Sequence, residues 1–242
     1  MEVVNNLLDY EKLKIVQNTD WFKFSLDSVL LADFINVKKK DRNIIDFCTG
    51  NAPIPLFLST KTSNSIIGVE LQEEVFKLAK KSVILNNLEN QIEIINEDVK
   101  NLKNKYETDT FDIISCNPPY FKISEQTQKN ENNIKAIARH EIHLNLTDIF
   151  EISRKLLKNN GSIYIVHRTD RLVEIINEMS CYNIMPKRIR FIYPFKNSES
   201  NMVLIEGRKN GNSGLKVEKP LVVHDKRGNY TEEINQIFRG RK

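Results

Sequence analysis

Three acids and one stiff loop carry the chemistry that this sequence offers. Asp46, Glu70 and Asp98 each follow a short apolar run, and Gly50 stands between the first two. A carboxylate such as Glu70, about 20 residues beyond a glycine turn, can accept both hydroxyls of a ribose. Asp98 can take the exocyclic amine of an adenine. Taken singly, Glu70 also reads as a solvated charge and Asp98 as a turn cap. Together they describe a nucleoside site. The loop is Asn117-Pro118-Pro119-Tyr120. Neither proline offers an N–H to a sheet ladder, and the residue before a proline is held extended. The loop therefore presents one amide, two carbonyls and a ring in a fixed direction.

The elements that must position these residues alternate. Asn43 to Phe47 reads as a buried strand that enters the turn Cys48-Thr49-Gly50-Asn51-Ala52, then a helix with proline in its first turn. Ser65 to Glu70 is a second strand, and Gln72 to Asn87 an amphipathic helix with Val75, Leu78, Ala79, Val83 and Ile84 inward. Gln91 to Asn96 and Phe111 to Cys116 are further strands. Leu146 to Leu157 is a helix, Ser162 to Val166 a strand and Arg171 to Ser180 a helix. Arg188 to Tyr193 and Asn201 to Glu206 form a closing antiparallel pair. Alternation of this kind implies a parallel sheet with right-handed crossovers, and ligands at the C-terminal ends of its strands. All three acids and the proline loop fall on that edge. The turn holds one glycine where a dinucleotide fingerprint needs three, so a pyrophosphate site does not follow. Ahead of the first strand, Ser25 or Asp27 caps a helix whose apolar face is Val29, Leu30, Leu31, Phe34 and Ile35.

The chain has 242 residues, 40% hydrophobic and 28% charged, and a net charge of +4. No apolar run approaches the ~20 residues of a membrane span. Cys48, Cys116 and Cys181 have no metal-ligand or disulfide spacing, and His140 with His143 lacks a third ligand, so no metal is expected. The charge is uneven. Residues 185–242 carry 13 Lys and Arg against 6 Asp and Glu, while the rest carry 23 against 26. A basic end on a near-neutral body suits a polyanion, although such charges also serve simply as a solvated surface. The polar stretch 122–141 reads as a functional loop.

These residues resemble the class I, S-adenosylmethionine-dependent amino methyltransferases of the N-P-P-Y type, and within them the bacterial tRNA1(Val) adenine-37 N6-methyltransferases. The resemblance spans nearly the whole chain. It rests on Phe24-Ser25-Leu26-Asp27-Ser28-Val29-Leu30-Leu31-Ala32, Ile45-Asp46-Phe47-Cys48-Thr49-Gly50-Asn51, Asn117-Pro118-Pro119-Tyr120, Ala138-Arg139-His140-Glu141 and Ser200-Asn201-Met202-Val203-Leu204-Ile205-Glu206-Gly207. It departs at Ala52, where the family's cofactor turn usually carries a second glycine.

The resemblance implies a Rossmann-like α/β domain, a seven-stranded, mostly parallel sheet with its last strand antiparallel. Residues 1–42 would cover the cofactor, 43–209 form the domain and 210–242 a basic tail. It implies S-adenosylmethionine as cofactor, held by Phe24, Asp27, Asp46, Cys48, Gly50, Glu70, Leu71, Asp98, Val99 and Asn117. Asn117, Pro118, Pro119 and Tyr120 would carry catalysis. Arg139, His140, His167, Arg168, Lys187, Arg188 and Asn201 would meet RNA. The partner would be tRNA, met by a cytoplasmic monomer. N-P-P-Y enzymes also act on DNA adenine, on ribosomal RNA and on a release-factor glutamine, and a basic RNA-binding module with a weak site is the non-enzyme alternative.

Overall fold

The computed structural model describes residues 1–7, 10–19, 26–119 and 144–240. Its centre is a sheet whose first seven strands are β3 (Asn43–Phe47), β4 (Ser65–Glu70), β5 (Ile92–Asn96), β6 (Phe111–Cys116), β7 (Leu157–Arg168), β8 (Ile184–Phe195) and β9 (Met202–Lys209). Their spatial order is β5-β4-β3-β6-β7-β9-β8. Only β9 runs antiparallel to its neighbours. Strand β3 is buried from Ile44 to Phe47 because helices cover both faces.

Helices α1 (Leu26–Phe34), α2 (Pro53–Leu58) and α3 (Glu73–Leu85) lie on one face with α7 (Glu232–Phe238). Helices α4 (Leu102–Lys105), α5 (Leu146–Leu156) and α6 (Leu172–Cys181) lie on the other. Helix α5 starts with a full capping box, Asn145 and Asp148 each bonding the other's backbone N–H. Ile84, read as inward, is 54% exposed at the end of α3.

Two regions differ from the sequence reading. The N-terminal segment opens with an antiparallel hairpin, β1 (Glu2–Leu7) and β2 (Tyr10–Asn18), where no strand was expected. It docks on α3 through Val16 N–H to Ser82 Oγ (3.0 Å) and Lys14 N–H to Asn86 Oδ1 (2.9 Å). Asn51, in the glycine turn, donates to the Val16 carbonyl (2.9 Å), so the hairpin also braces that turn. The segment beyond 209, read as a tail, is folded. β10 (Lys216–Val217) and β11 (Leu221–His224) both pair in parallel with the outer edge of β8, widening the sheet to nine strands. Helix α7 then seals Ile234, Ile237 and Phe238 into the core.

Candidate active site

The C-terminal edge of the sheet gathers the predicted acids. Asp46, in β3, is fully buried and accepts from Thr49 Oγ1 (2.7 Å) and Ser115 Oγ (2.6 Å). Burial pushes its carboxyl up to about 7 from 3.8; the two hydroxyls oppose that shift, and the nearby Glu70 charge adds to it. Glu70 ends β4, one strand away. Its Oε2 accepts from Gly50 N–H (2.9 Å) and its Oε1 from Gln72 N–H (2.9 Å). Burial raises its pKa as well, while the backbone N–H groups pull it back down. Neither acid forms an ion pair among the described residues. A carboxylate has about four acceptor positions, so Glu70 still has capacity for two hydroxyls of a ligand. Asp98 follows β5 and caps a short 3-10 turn, its Oδ1 accepting from Lys100 N–H (2.9 Å).

The turn between Asp46 and α2 is tightly wound. Cys48, Gly50 and Ala52 all adopt positive φ (55°, 59° and 71°). A side chain added at Gly50 would meet no atom within 4 Å, so the backbone there faces open space. Beside it lies a cleft lined by Cys48, Val69, Glu70, Leu71, Asp98, Val99, Pro119 and Leu144. Cys48, Glu70, Leu71, Asp98 and Val99 were all named from sequence; Leu144 and Pro119 close the cleft from the side of the proline loop. Leu71 is 40% exposed, an apolar lip at the mouth. The acids at strand ends and the apolar walls between them suit an adenosyl group.

Asn117 follows β6, one strand from the turn on the side away from Glu70. Its Nδ2 donates to Ser28 Oγ (2.9 Å) on α1, which fixes the amide with its oxygen on the other side. Ser28 is buried, 6% exposed. Its signal in the sequence is a hydroxyl in an otherwise apolar helix face. Neither it nor Thr49 or Ser115, which hold Asp46, is singled out by sequence. Asp27 lies in the first turn of α1, one residue before Ser28. Pro118 is buried and Pro119 half-buried. Phe24, Tyr120, Arg139 and His140 lie outside the described residues.

The proposed RNA contacts separate. Arg168 ends β7 and its half-exposed guanidinium pairs loosely with Asp170 (3.4 Å). Asn201 is exposed beside it, its carbonyl accepting from Thr169 N–H (3.1 Å). His167 does not belong with them. It is 1% exposed, and burial lowers its pKa to about 4, so at neutral pH it is an uncharged core residue with no surface for phosphate. Lys187 and Arg188 lie near the start of β8, away from the strand ends. Lys187 donates to the carbonyls of Asn212 and Ser213. Arg188 is committed to Glu206 (2.5 Å), Glu218 (3.0 Å) and the Phe34 carbonyl (2.7 Å). Among the described residues no group of three His, Cys, Asp or Glu is placed to hold a metal ion, and no helix is long and apolar enough to cross a membrane.

Comparison with known proteins bears on this edge. A predicted O-methyltransferase from Agrobacterium tumefaciens superposes with a TM-score of 0.70 at 16% identity, covering 90% of this chain and 98% of that one. The tRNA1(Val) (adenine(37)-N6)-methyltransferase of Parabacteroides distasonis is 26% identical, covering 97% of each chain. The protein of the same name from Haemophilus influenzae is 28% identical, covering 94% of each. The first likeness shows the fold alone. The Methyltransferase small domain family matches residues 21–181, from ahead of α1 to the end of α6, which takes in the glycine turn, all three acids and the proline loop. With the match covering that whole edge, the chain belongs to the Methyltransferase small domain family.

Proposed function

We propose that this protein methylates the exocyclic N6 of an adenine in tRNA, adenine 37 of the anticodon loop, with S-adenosylmethionine as donor. The observation that carries the reading is the Asn117 amide, held by Ser28 and two residues before Pro119, which lines the same cleft as Glu70 and Asp98. The substrate is the one named for the full-length relatives.

When bound, S-adenosylmethionine supplies a methyl group on a positively charged sulfur. Glu70 would take the ribose hydroxyls, and Asp98 with Val99 and Leu71 the adenine. Asp46 gives the turn a carboxylate with no cation beside it among the described residues, which suits the cationic methionyl end. On the substrate side, the adenine amine is a poor nucleophile because its lone pair is delocalised into the ring. The Asn117 side-chain oxygen and the Pro118 carbonyl accept its two N–H groups, which localises and aims the lone pair. The amine so aimed would take the methyl group from the sulfonium, and its proton, made acidic by alkylation, would leave to solvent. Positioning and electrostatics supply the catalysis; no strong base is required. Tyr120 brings a ring for the base to stack on. The base must be splayed from the loop to reach the site. A tRNA substrate of this kind would be met in the cytoplasm.

The test is to incubate labelled S-adenosylmethionine with unmodified tRNA, with DNA and with release factor, then digest to nucleosides. N6-methyladenosine should appear from tRNA alone. Asn117→Ala should lower kcat by roughly 100- to 1000-fold, the loss typical of one preorganised polar group, with cofactor binding retained. Label found only in DNA or protein would sink the substrate assignment.

A further inference from the structure

At the far end of the same strand-end edge stands a group of rings that the catalytic scheme does not use. Phe195 ends β8, His224 ends β11 and Tyr230 follows the next turn. His224 lies between the other two, with its centroid 5.5 Å from Phe195 and 5.1 Å from Tyr230, nearly parallel to the latter (21°). Tyr230 in turn stands edge-on to the buried Phe238 (4.9 Å). Phe195 is 47% exposed and Tyr230 44%. Of the large apolar side chains exposed among the described residues, these are the two aromatic ones, and both belong to this stack. A single exposed apolar side chain needs no explanation; two rings flanking a third, on the reactive edge, do.

Cations surround the stack. Lys226 and Arg227 project from the tip of the turn between His224 and Tyr230, and Lys196 follows Phe195; all three are exposed. The turn is rigid: Asp225 Oδ1 accepts from Arg227 N–H (2.8 Å) and Asn229 N–H (3.0 Å), and Asp225 N–H donates to the Asn229 carbonyl (2.8 Å). Rings interleaved with cations on a firm support make a surface for single-stranded nucleic acid, because every base has a face to stack and every nucleotide a phosphate to neutralise.

Strand register sets the reach. Cys116 pairs with Ile165, Arg168 with Met202, and Met202 with Ile192. Ile192 therefore stands level with Arg168, three residues beyond the level of Cys116, and Phe195 rises about 10 Å further. β8 is three strand spacings from β6, roughly 14 Å. The stack is thus a raised wall on the order of 20 Å from Asn117, a gap that a few nucleotides of unstacked loop can bridge.

We propose that Phe195, His224 and Tyr230 form a stacking platform for the unpaired bases beside the methylated adenine, with Lys196, Lys226 and Arg227 holding the adjoining phosphates. This rests on the tRNA reading above and adds where the loop's flanking bases are gripped. It also gives residues 210–240 a job: β11 and the 225–229 turn carry two-thirds of the rings to the site.

The test uses the full chain and unmodified tRNA, with RNA affinity, KM and kcat read separately. Phe195→Leu with Tyr230→Leu keeps apolar bulk and removes the ring faces. It should weaken RNA binding about 10- to 100-fold and raise KM by the same factor, leaving kcat at saturating RNA and cofactor affinity as in the wild type. Tyr230→Phe should restore wild-type RNA affinity, which separates a stacking face from a structural role. Lys226→Ala with Arg227→Ala, at exposed positions where folding is not at stake, should flatten the salt dependence of binding by roughly 1.4 in log–log slope. A wild-type chain that binds and methylates tRNA while the leucine and alanine variants match its affinity and slope would overturn the platform alone. A wild type that neither binds nor methylates tRNA would overturn the tRNA reading and this one with it.

Discussion

One row of side chains crosses the sheet from β3 to β8, and its two ends treat buried acids in opposite ways. Asp46 pairs in register with Ser115, Ser115 with Tyr164, Tyr164 with Glu206 and Glu206 with Arg188. At the β8 end, Glu206 is clamped by Arg188 (2.5 Å) and Arg208 (3.1 Å). Arg188 continues to Glu218 and lies over the Phe34 ring, 4.2 Å from its centroid. At the β3 end, Asp46 has two hydroxyls and, among the described residues, no cation. An acid with its countercharge supplied by the chain is structural. One left without a cation carries a cost that a cationic ligand can relieve. Helix α1 spans the two ends. Ser28 in its first half holds Asn117, and the Arg188 guanidinium takes the Phe34 carbonyl at its last turn.

The largest effect tests the clamped end. Arg188→Met leaves Glu206 buried and half-paired and releases the end of α1. It should cost about 3–5 kcal/mol, a melting-temperature drop of roughly 6–20 °C. A second change, Glu206→Leu, should recover much of that loss, because it removes the stranded charge. A variant that melts like the wild type would break the contrast at its root. Loss of tRNA binding without loss of stability would return Arg188 to the RNA surface.

The unclamped end should respond with the opposite sign. Asp46 has its folded-state pKa raised to about 7 from 3.8, so the native state holds this proton more tightly than the unfolded chain does. Its contribution to stability is full below about pH 4 and is lost as the pH climbs through about 7. At one unit per 1.36 kcal/mol the span is at most about 4 kcal/mol. Asp46→Asn should therefore stabilise the ligand-free protein at pH 8 and flatten the fall in melting temperature between pH 5 and 8. The same variant should bind S-adenosylmethionine more weakly. In the wild type, cofactor binding at pH 6.5 should release a proton, seen as a buffer-dependent heat in calorimetry. A binding heat that ignores the buffer would mean that Asp46 plays no electrostatic part.

Glu70 refines the picture, since its anchors are backbone N–H groups. Glu70→Gln puts an NH2 where one of them now donates, and it removes charge from the ribose side. Cofactor affinity should fall about 100-fold, near 2.8 kcal/mol at tenfold per 1.4, while tRNA affinity measured without cofactor stays the same. Equal losses for both ligands would point to collapse of the turn.

The central sheet was legible from sequence because buried parallel strands are continuous apolar runs of fixed length, and β3, β4 and β6 match their expected bounds. The acids were legible because each ends such a run. Two kinds of feature were not. The hairpin β1–β2 alternates over too few residues, with a polar outer strand, to separate from a loop. The second kind concerns what a side chain meets across the fold. Arg188 and His167 have the types and strand positions of RNA contacts, yet one is spent on Glu206 and the other is buried. Ser28 shows the converse, a helix serine that orients the Asn117 amide. Phe195, His224 and Tyr230 lie up to 35 positions apart in sequence and meet only because β11 pairs with β8.

The smallest effect concerns Ala52. It sits in the left-handed region (φ 71°), where an L-residue is strained by about 1–2 kcal/mol. Glycine there would relieve that strain. It would also add roughly 0.4–1 kcal/mol of unfolded-chain freedom and remove a fully buried methyl, worth about 0.8 kcal/mol. These terms nearly cancel, so Ala52→Gly should leave stability within about 1 kcal/mol of the wild type. Cofactor affinity should stay within about threefold, because the Ala52 side chain packs into the core with α1 and α2 and is not among the residues lining the cleft. The turn keeps its shape through Ala52 N–H to the Thr49 carbonyl (3.0 Å) and Leu56 N–H to the Ala52 carbonyl (3.1 Å), bonds that glycine preserves. Titration of both proteins with S-adenosylmethionine decides the matter. A tenfold gain on Ala52→Gly would mean that the methyl group does reach the cofactor through the turn, and that the β3 end of the row is tuned by packing as well as by charge.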